Sequence, residues 1–99
     1  METIPKTFKK HGYDFELIKR STCVCIYEQK RGGVTYAYEV HKIRRVKADS
    51  CKYHNPDGTF KVVNRPDREI LASDEQFGTY AWSFTTLEQA EKCFNGGKL

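Results

Sequence analysis

Apolar and polar residues alternate through much of the first half of the chain, which is the pattern of strands that bury one face. Three such runs cover residues 13–20, 22–29 and 34–45. Polar residues at 19–22 separate the first run from the second, and a loop at 30–33 separates the second from the third. The two glycines of that loop can adopt the positive φ angles of a tight hairpin. The pattern therefore predicts three antiparallel strands connected as a meander.

Turn signals divide the second half of the chain into shorter strands. The sequence Asn-Pro-Asp-Gly at 55–58 predicts a tight turn that connects strands at 52–54 and 59–63. After a second turn, residues 69–71 are expected to form a short edge strand. Residues 80–84 alternate again and predict another strand.

Two capping boxes predict the helical segments. The first, at 73–76, indicates a single helical turn, and the second, at 86–89, indicates a C-terminal helix. We expect this helix to run from Leu87 to Asn95 and to end at the glycines that follow. The residues expected to pack together between helix and sheet are Trp82, Phe84, Leu87, Ala90, Cys93 and Phe94.

Together these elements predict an α+β fold, in which an antiparallel sheet, a meander of at least four strands, packs against one C-terminal α-helix. No internal repeat, low-complexity stretch or linker interrupts the 99 residues. We therefore expect a single domain that spans residues 1–99.

The register of the meander predicts a face rich in tyrosine. If Gln29 lies opposite Val34, then Tyr27 lies opposite Tyr36. With Phe15 opposite Ile26 in the first hairpin, one face collects Phe15, Leu17, Val24, Ile26 and Ala37, and the other collects Ile18, Cys23, Cys25, Tyr27, Tyr36, Tyr38 and Val40. One short helix can cover only the first of these faces. The tyrosine face is then covered by segment 48–78, or it is open as a binding or dimer face.

Charge is distributed unevenly along the chain, whose net charge is +4. Residues 1–50 contain 11 Lys and Arg against 6 Asp and Glu, whereas residues 51–99 contain 6 against 7. Four of the cations lie within 41–47. Cations beside aromatic strands fit an acidic protein surface or a single-stranded nucleic acid, whose bases stack on the rings. The candidate partner-binding residues are Tyr27, Tyr36, Tyr38, Arg31, Lys42, Arg44, Arg45 and Lys47.

Nothing in the sequence predicts catalysis, a cofactor or a metal. Cys51 and His54 form only one short ligand pair, whereas structural zinc usually draws on two. No other pattern marks an activated nucleophile or a phosphate loop.

The longest apolar run, at 23–27, is too short to cross a bilayer, and no leader pattern opens the chain. We therefore expect a cytoplasmic protein that is not an enzyme, does not bind membranes, and keeps its cysteines reduced.

Five stretches resemble small accessory proteins of tailed bacteriophages: residues 15–20, 26–29, 38–40, 77–84 and 86–90. The resemblance spans about 80 residues, and segment 51–64 has no counterpart in it. It implies a protein that acts in the bacterial host cell, where phage proteins of this size often bind and inhibit a host enzyme or a defence complex. The expected function is therefore non-catalytic binding of a host or phage protein, with a homodimer as a further expectation. The alternative is a basic nucleic-acid-binding domain that uses the tyrosine face and residues 41–47.

Overall fold

The computed structural model describes residues 2–97 and confirms the α+β fold with its antiparallel sheet and C-terminal helix. The strands are β1 (Thr7–Lys10), β2 (Tyr13–Arg20), β3 (Val24–Arg31), β4 (Val34–Lys42), β5 (Arg44–Val46), β6 (Asp49–His54), β7 (Phe60–Arg65), β8 (Arg68–Ile70) and β9 (Ala81–Phe84). The helix α1 (Leu87–Lys92) begins at the predicted residue, where the Thr86 hydroxyl accepts a hydrogen bond from the Gln89 amide. A π turn at Cys93–Gly97 replaces the end of the predicted helix.

The main sheet has five antiparallel strands in the order β1-β2-β3-β4-β9. Its first strand was not predicted. Residues His11 and Gly12, with φ of 54° and 81°, form the tight turn that connects β1 to β2. Positive φ at two successive residues is typical of a two-residue hairpin turn, so the His-Gly pair is the sequence signal for this strand.

Two smaller strand pairs lie outside the main sheet, β5 with β8 and β6 with β7. The predicted long strand at 34–45 is wrong in one respect, because it is broken at Ile43. This residue is buried, and its amide donates to the Cys23 carbonyl at 2.9 Å instead of continuing the β4 ladder. The break directs β5 away from the main sheet and toward β8.

The hairpin between β3 and β4 is tighter than predicted. The two glycines at its tip have φ of 59° and 81° and form a two-residue turn. As a result Arg31, rather than Gln29, lies opposite Val34. This change alone shifts the register by two residues.

A bulge after Gln29 shifts the pairing by one further residue, so that Tyr27 lies opposite Glu39 and not opposite Tyr36. Directly opposed residues of antiparallel strands share a face, and an odd shift moves every following side chain to the other face. The predicted tyrosine face is therefore wrong.

The first hairpin also differs from the prediction. Phe15 lies opposite Gln29 rather than Ile26, and a second bulge leaves Ile18 without a cross-strand partner. The turn lies later than predicted because the Ser21 hydroxyl accepts from the Val24 amide at 3.2 Å and holds the chain in a local turn.

Each face of the main sheet has its own core. The core between the sheet and its C-terminal helical segment consists of Val24, Ile26, Val40, Ala90 and Cys93, with Tyr38, Trp82, Phe84, Leu87 and Phe94 packed against them. This confirms the predicted contact of the helix with the strand at 80–84. The opposite face contains Ile4, Phe15, Cys25, Tyr27 and Ile43, with Phe8, Tyr13, Leu17 and Leu71 around them. Phe15 and Leu17 were predicted on the helix side and lie instead on this second face.

The second face is covered by the N-terminal segment rather than by the whole of segment 48–78. The Glu2 amide donates to the Asp67 carbonyl, and the Glu69 amide donates to the Glu2 carbonyl, at 2.9 and 2.8 Å. These bonds hold the start of the chain beside β8 and place Ile4 over the core.

The strands β6 and β7, with the turn at 55–58, form a projection that we call the arm (residues 49–65). The predicted turn is confirmed by hydrogen bonds between Asn55 and Thr59. Among residues 2–97, the two strands pack mainly against each other. The long axis of the molecule measures 53 Å, and the radius of gyration is 16.3 Å, against about 13 Å for a compact chain of this length.

Within the described residues, neither α1 nor another helical segment has the length and apolar content needed to cross a bilayer.

Candidate binding surfaces

The three tyrosines predicted to bind a partner lie in three different environments. Tyr27 is fully buried, and its hydroxyl donates to the Pro5 carbonyl at 2.6 Å. Burial raises the pKa of that hydroxyl. Tyr38 is half-buried in the core under α1. Tyr36, which is 53% exposed beside Tyr13, is the one that offers most of its ring to a partner.

Arg45 has a structural role that the sequence did not reveal. Its guanidinium donates to the Thr22 carbonyl at 2.7 Å and to a Glu69 carboxylate oxygen at 3.4 Å. Because these groups belong to the same molecule, Arg45 is less available to a partner than was predicted.

Glu69 is the buried acceptor of this cluster, and its side chain is only 3% exposed. Arg20 donates to both of its carboxylate oxygens, at 2.7 and 2.9 Å, and the Ile4 amide donates at 3.2 Å. These hydrogen bonds, Arg20 first, lower the pKa of the Glu69 carboxyl from 4.5 to about 2. The carboxylate therefore joins the end of β2, the N-terminal segment and β8.

The remaining predicted cations lie at separate places on the surface. Arg31 is exposed at the end of β3, with its guanidinium carbon 5.6 Å from the centre of the Tyr13 ring. Lys47 is exposed between β5 and β6. Arg31 therefore lies near Tyr36, because the Tyr13 ring contacts both of them.

Lys42 and Arg44 do form a cluster, together with Tyr80 and Trp82. We call these four residues the basic ledge. The Lys42 Nζ lies 5.7 Å from the Trp82 ring centre and 6.0 Å from that of Tyr80, and the Arg44 guanidinium carbon lies 4.7 Å from the Tyr80 ring centre. Such distances are typical of cation–π contacts.

The ledge is positioned by the pairing of β4 with β9. Val40 lies opposite Trp82 on the face that α1 covers. Two residues further along β4, the Lys42 amide donates to the Tyr80 carbonyl at 2.8 Å. Lys42 and Tyr80 therefore lie side by side on the same face of the sheet. The Arg44 guanidinium also donates to the Gln76 side chain at 2.8 Å. The sequence identified the cations of the ledge but not its aromatic residues, because their approach depends on a strand pairing between distant segments.

The arm carries a different set of exposed groups. Tyr53, Phe60 and Val62 are 54%, 56% and 53% exposed. Lys52 and Lys61 alternate with them, and the Lys52 Nζ lies 4.0 Å from the centre of the Phe60 ring. Each face of the arm therefore combines apolar side chains with one lysine.

Ion pairs hold the base of the arm. Arg65 donates two hydrogen bonds to the Asp49 carboxylate, at 3.0 and 2.7 Å, and Arg68 of β8 lies 3.5 Å from the same group. The Arg65 contact lowers the pKa of Asp49. The exposed residues of the arm were missed by sequence analysis, which considered segment 48–78 only as one of two alternatives, a cover for the tyrosine face or a segment that leaves that face open.

The histidines, cysteines and carboxylates of the described residues are not gathered into a metal site. No group of three or more His, Cys, Asp or Glu side chains within residues 2–97 is placed to hold a metal ion. Cys23, Cys25 and Cys51 carry free thiols. Burial raises the pKa of the Cys25 thiol to about 12, which makes it a poor nucleophile. The absence of enzymatic activity stays a prediction.

No protein family, curated protein or solved structure matches the chain, so its function must be argued from its own surfaces.

Proposed function

We propose that the protein is a non-catalytic module that binds another protein through its arm. The observation that supports this most directly is the exposure of Tyr53, Phe60 and Val62 on two strands that pack mainly against each other. Phe60 and Val62 lie together on one face of the arm, and Tyr53 lies on the other. Exposed apolar groups of this kind on a small protein are typical of interaction surfaces.

The isolation of the arm strengthens this proposal. A two-stranded hairpin is only marginally stable in water when nothing packs against it. A partner that covered Tyr53 on one face or Phe60 on the other would remove apolar surface from water and order the arm. Tyrosine and phenylalanine are suited to this because their rings contribute a large contact area with little side-chain entropy.

The arm also offers main-chain groups for recognition. Both β6 and β7 are edge strands of a two-stranded sheet, so each has one side of N–H and C=O groups that no strand among residues 2–97 pairs with. A strand of a partner could add to either edge.

Charge indicates what the rim of the partner surface contains. Lys52 and Lys61 form no ion pair within the described residues, and each lies next to an aromatic residue of the arm. They fit a partner whose apolar groove is bordered by acidic side chains. The resemblance to small phage proteins makes a bacterial host protein the expected partner, and inhibition of an enzyme or defence complex the expected role.

The test compares two tyrosines of nearly equal exposure. Tyr53→Ser changes the arm, and Tyr36→Ser changes the main sheet, where the ring is 53% exposed against 54% for Tyr53. Each protein is immobilised and exposed to nuclease-treated bacterial lysate, and the Kd for a retained protein is then measured by calorimetry. We expect Tyr53→Ser to weaken binding about tenfold or more, as at an aromatic hot spot, and Tyr36→Ser to leave it nearly unchanged.

Phe60→Ser serves as an independent variant on the opposite face of the arm. Loss of binding by Tyr36→Ser alone would contradict the proposal and restore the sheet as the contact surface. Retention of a protein from untreated lysate but of none from nuclease-treated lysate would also contradict it. A change from dimer to monomer in Tyr53→Ser, measured by sedimentation, would identify a second copy of the chain as the partner.

A further inference from the structure

The basic ledge has a chemistry different from that of the arm. We infer that it binds single-stranded nucleic acid, with a base stacked at Tyr80 and neighbouring phosphates on Lys42 and Arg44. This inference goes beyond the proposed function and does not depend on it, since the ledge lies on the main sheet and on β5.

The first observation is the charge balance around the ledge. Lys42 and Arg44 have aromatic rings beside them but no carboxylate within ion-pair distance in the described part of the chain. Other cations of the protein are neutralised locally, as in the pairs Lys30–Glu16 and Arg65–Asp49, both at 2.7 Å. The ledge therefore retains positive charge for an anionic ligand.

The second observation is a cavity next to the ledge. It has a volume of about 250 Å³ and is lined by Cys23, Val24, Lys42, Ile43, Arg44 and Tyr80. Its lining combines an aromatic ring and aliphatic side chains with two cations. A flat ring that carries negative charge beside it, such as a nucleotide, fits this combination.

A larger cavity, of about 500 Å³, illustrates the contrast. It is lined by residues of β1, β2 and β3 and by Gly33, and its lysines face carboxylates, with Lys9 at 3.9 Å from Asp14 and Lys30 at 2.7 Å from Glu16. Because charges of both signs line it, it does not favour a polyanion.

Lys19 lies on the same face of the sheet as the ledge, but Ile26 and Val40, which are buried under α1, separate the two. Lys19, Ile26, Val40 and Trp82 are successive cross-strand partners, which places Lys19 on the face of the ledge. Its Nζ lies 4.7 Å from the centre of the Phe94 ring. Lys19 is therefore a second cation beside an aromatic ring on this face, separate from the ledge.

The arrangement favours a single strand over a duplex or an acidic protein. In a duplex the base faces are stacked within the helix and cannot reach Tyr80. An acidic protein would use the cations but would have no reason to require the ring or the cavity. The involvement of Tyr80 is therefore the property that the experiment must test.

Binding of a labelled oligothymidylate is measured by fluorescence anisotropy over a range of salt concentrations. We expect the double variant Lys42→Gln with Arg44→Gln to bind about tenfold or more weakly. We also expect it to lower the slope of log Kd against log salt by about 1.4, because each lost phosphate contact lowers this slope by about 0.7. We expect Tyr80→Leu to weaken binding by about five- to a hundredfold with an unchanged slope, because it removes stacking and no charge.

The matched control is Arg31→Gln. It removes one positive charge that also lies over a tyrosine ring, that of Tyr13, at the other end of the sheet. We expect this variant, and a protein whose arm has been shortened, to bind oligothymidylate as the wild type does. The melting temperature of each variant shows whether it is folded.

Two results would overturn the inference. One is a change of log Kd in Arg31→Gln that is half of that in the double ledge variant, which would indicate attraction by net charge alone, because one charge is removed instead of two. The other is binding of polyglutamate as tight as that of oligothymidylate, together with no effect of Tyr80→Leu, which would assign the ledge to an acidic protein. Neither result would affect the arm, whose binding is measured after nuclease treatment.

Discussion

Glu69 is the single residue on which several distant contacts depend. Arg20, Arg45 and the Ile4 amide all donate to its carboxylate, which is almost fully buried. A buried carboxylate is costly unless it is paired and hydrogen-bonded, and loss of one partner leaves the others unsatisfied. Glu69 therefore stabilises the fold by accepting hydrogen bonds from three groups at once.

We expect Glu69→Gln to lower the free energy of unfolding at neutral pH by about 2 to 3 kcal/mol, because a charged acceptor is lost from a buried site. Urea unfolding measures this change. The matched control is Glu16→Gln, which removes an exposed carboxylate whose ion pair with Lys30 has the same 2.7 Å distance. We expect that control to cost less than about 1 kcal/mol.

The same carboxylate makes stability depend on pH in a defined direction. The pKa of Glu69 is lower in the folded protein, about 2, than the ordinary value of 4.5. Its contribution is therefore complete above the ordinary value and is lost as the pH falls toward 2. The difference in stability between wild type and Glu69→Gln should narrow over that interval, and a constant difference would contradict the assignment.

Residues whose structure is determined by near neighbours were predictable from sequence. The cap at Thr86 and the turn at 55–58 are examples, because each depends on hydrogen bonds within about four residues. The faces of Tyr27 and Tyr36 were not predictable in this way. They depend on whether two glycines form a short or a long loop and on a bulge that only the packed sheet selects.

At the scale of elements, α1 and the arm differ in how much they contribute to folding. The helix packs on the core that contains Val24, Ile26 and Val40. The arm has no corresponding contact within the described residues. Stability should therefore be sensitive to the helix and insensitive to the arm.

Shortening the arm tests this difference. Asp49 and Arg65 are register partners, so a two-residue Asn-Gly turn can replace residues 50–64. We expect the free energy of unfolding to change by less than about 1 kcal/mol, since no core group is removed. In contrast, Phe94→Ala should cost about 3 kcal/mol because its ring packs on the helix-side core.

Thermal unfolding of the two proteins, measured side by side, gives the comparison. A shortened protein that melts far below the wild type would show that the arm supports the core, and the arm would then be a structural element rather than a docking surface. The pairing of β6 with β7 was predicted from sequence. That this pair packs mainly against itself was not, because it depends on which surfaces the rest of the folded chain contacts.

At the scale of the whole molecule, the two proposed surfaces belong to different parts of the fold. The arm is a separate two-stranded sheet, whereas the ledge lies on the main sheet beside α1. The sequence predicted the fold class and the excess of positive charge in the first half of the chain. It could not show that Lys42 and Arg44 meet Tyr80 and Trp82, because that contact joins segments about forty residues apart.

The closure of the N-terminal segment onto β8 has a consequence for the order of folding. The hydrogen bond from the Ile4 amide to Glu69 joins residues 65 apart in sequence, whereas the hairpins of the meander join near neighbours. Contacts between distant residues carry a larger loop-closure entropy and form late. We therefore expect Glu69→Gln to accelerate unfolding and to leave the refolding rate almost unchanged in stopped-flow experiments, with a φ value near zero. The core around Tyr27 would then be the last to exclude water during folding and the first to admit it when the protein opens.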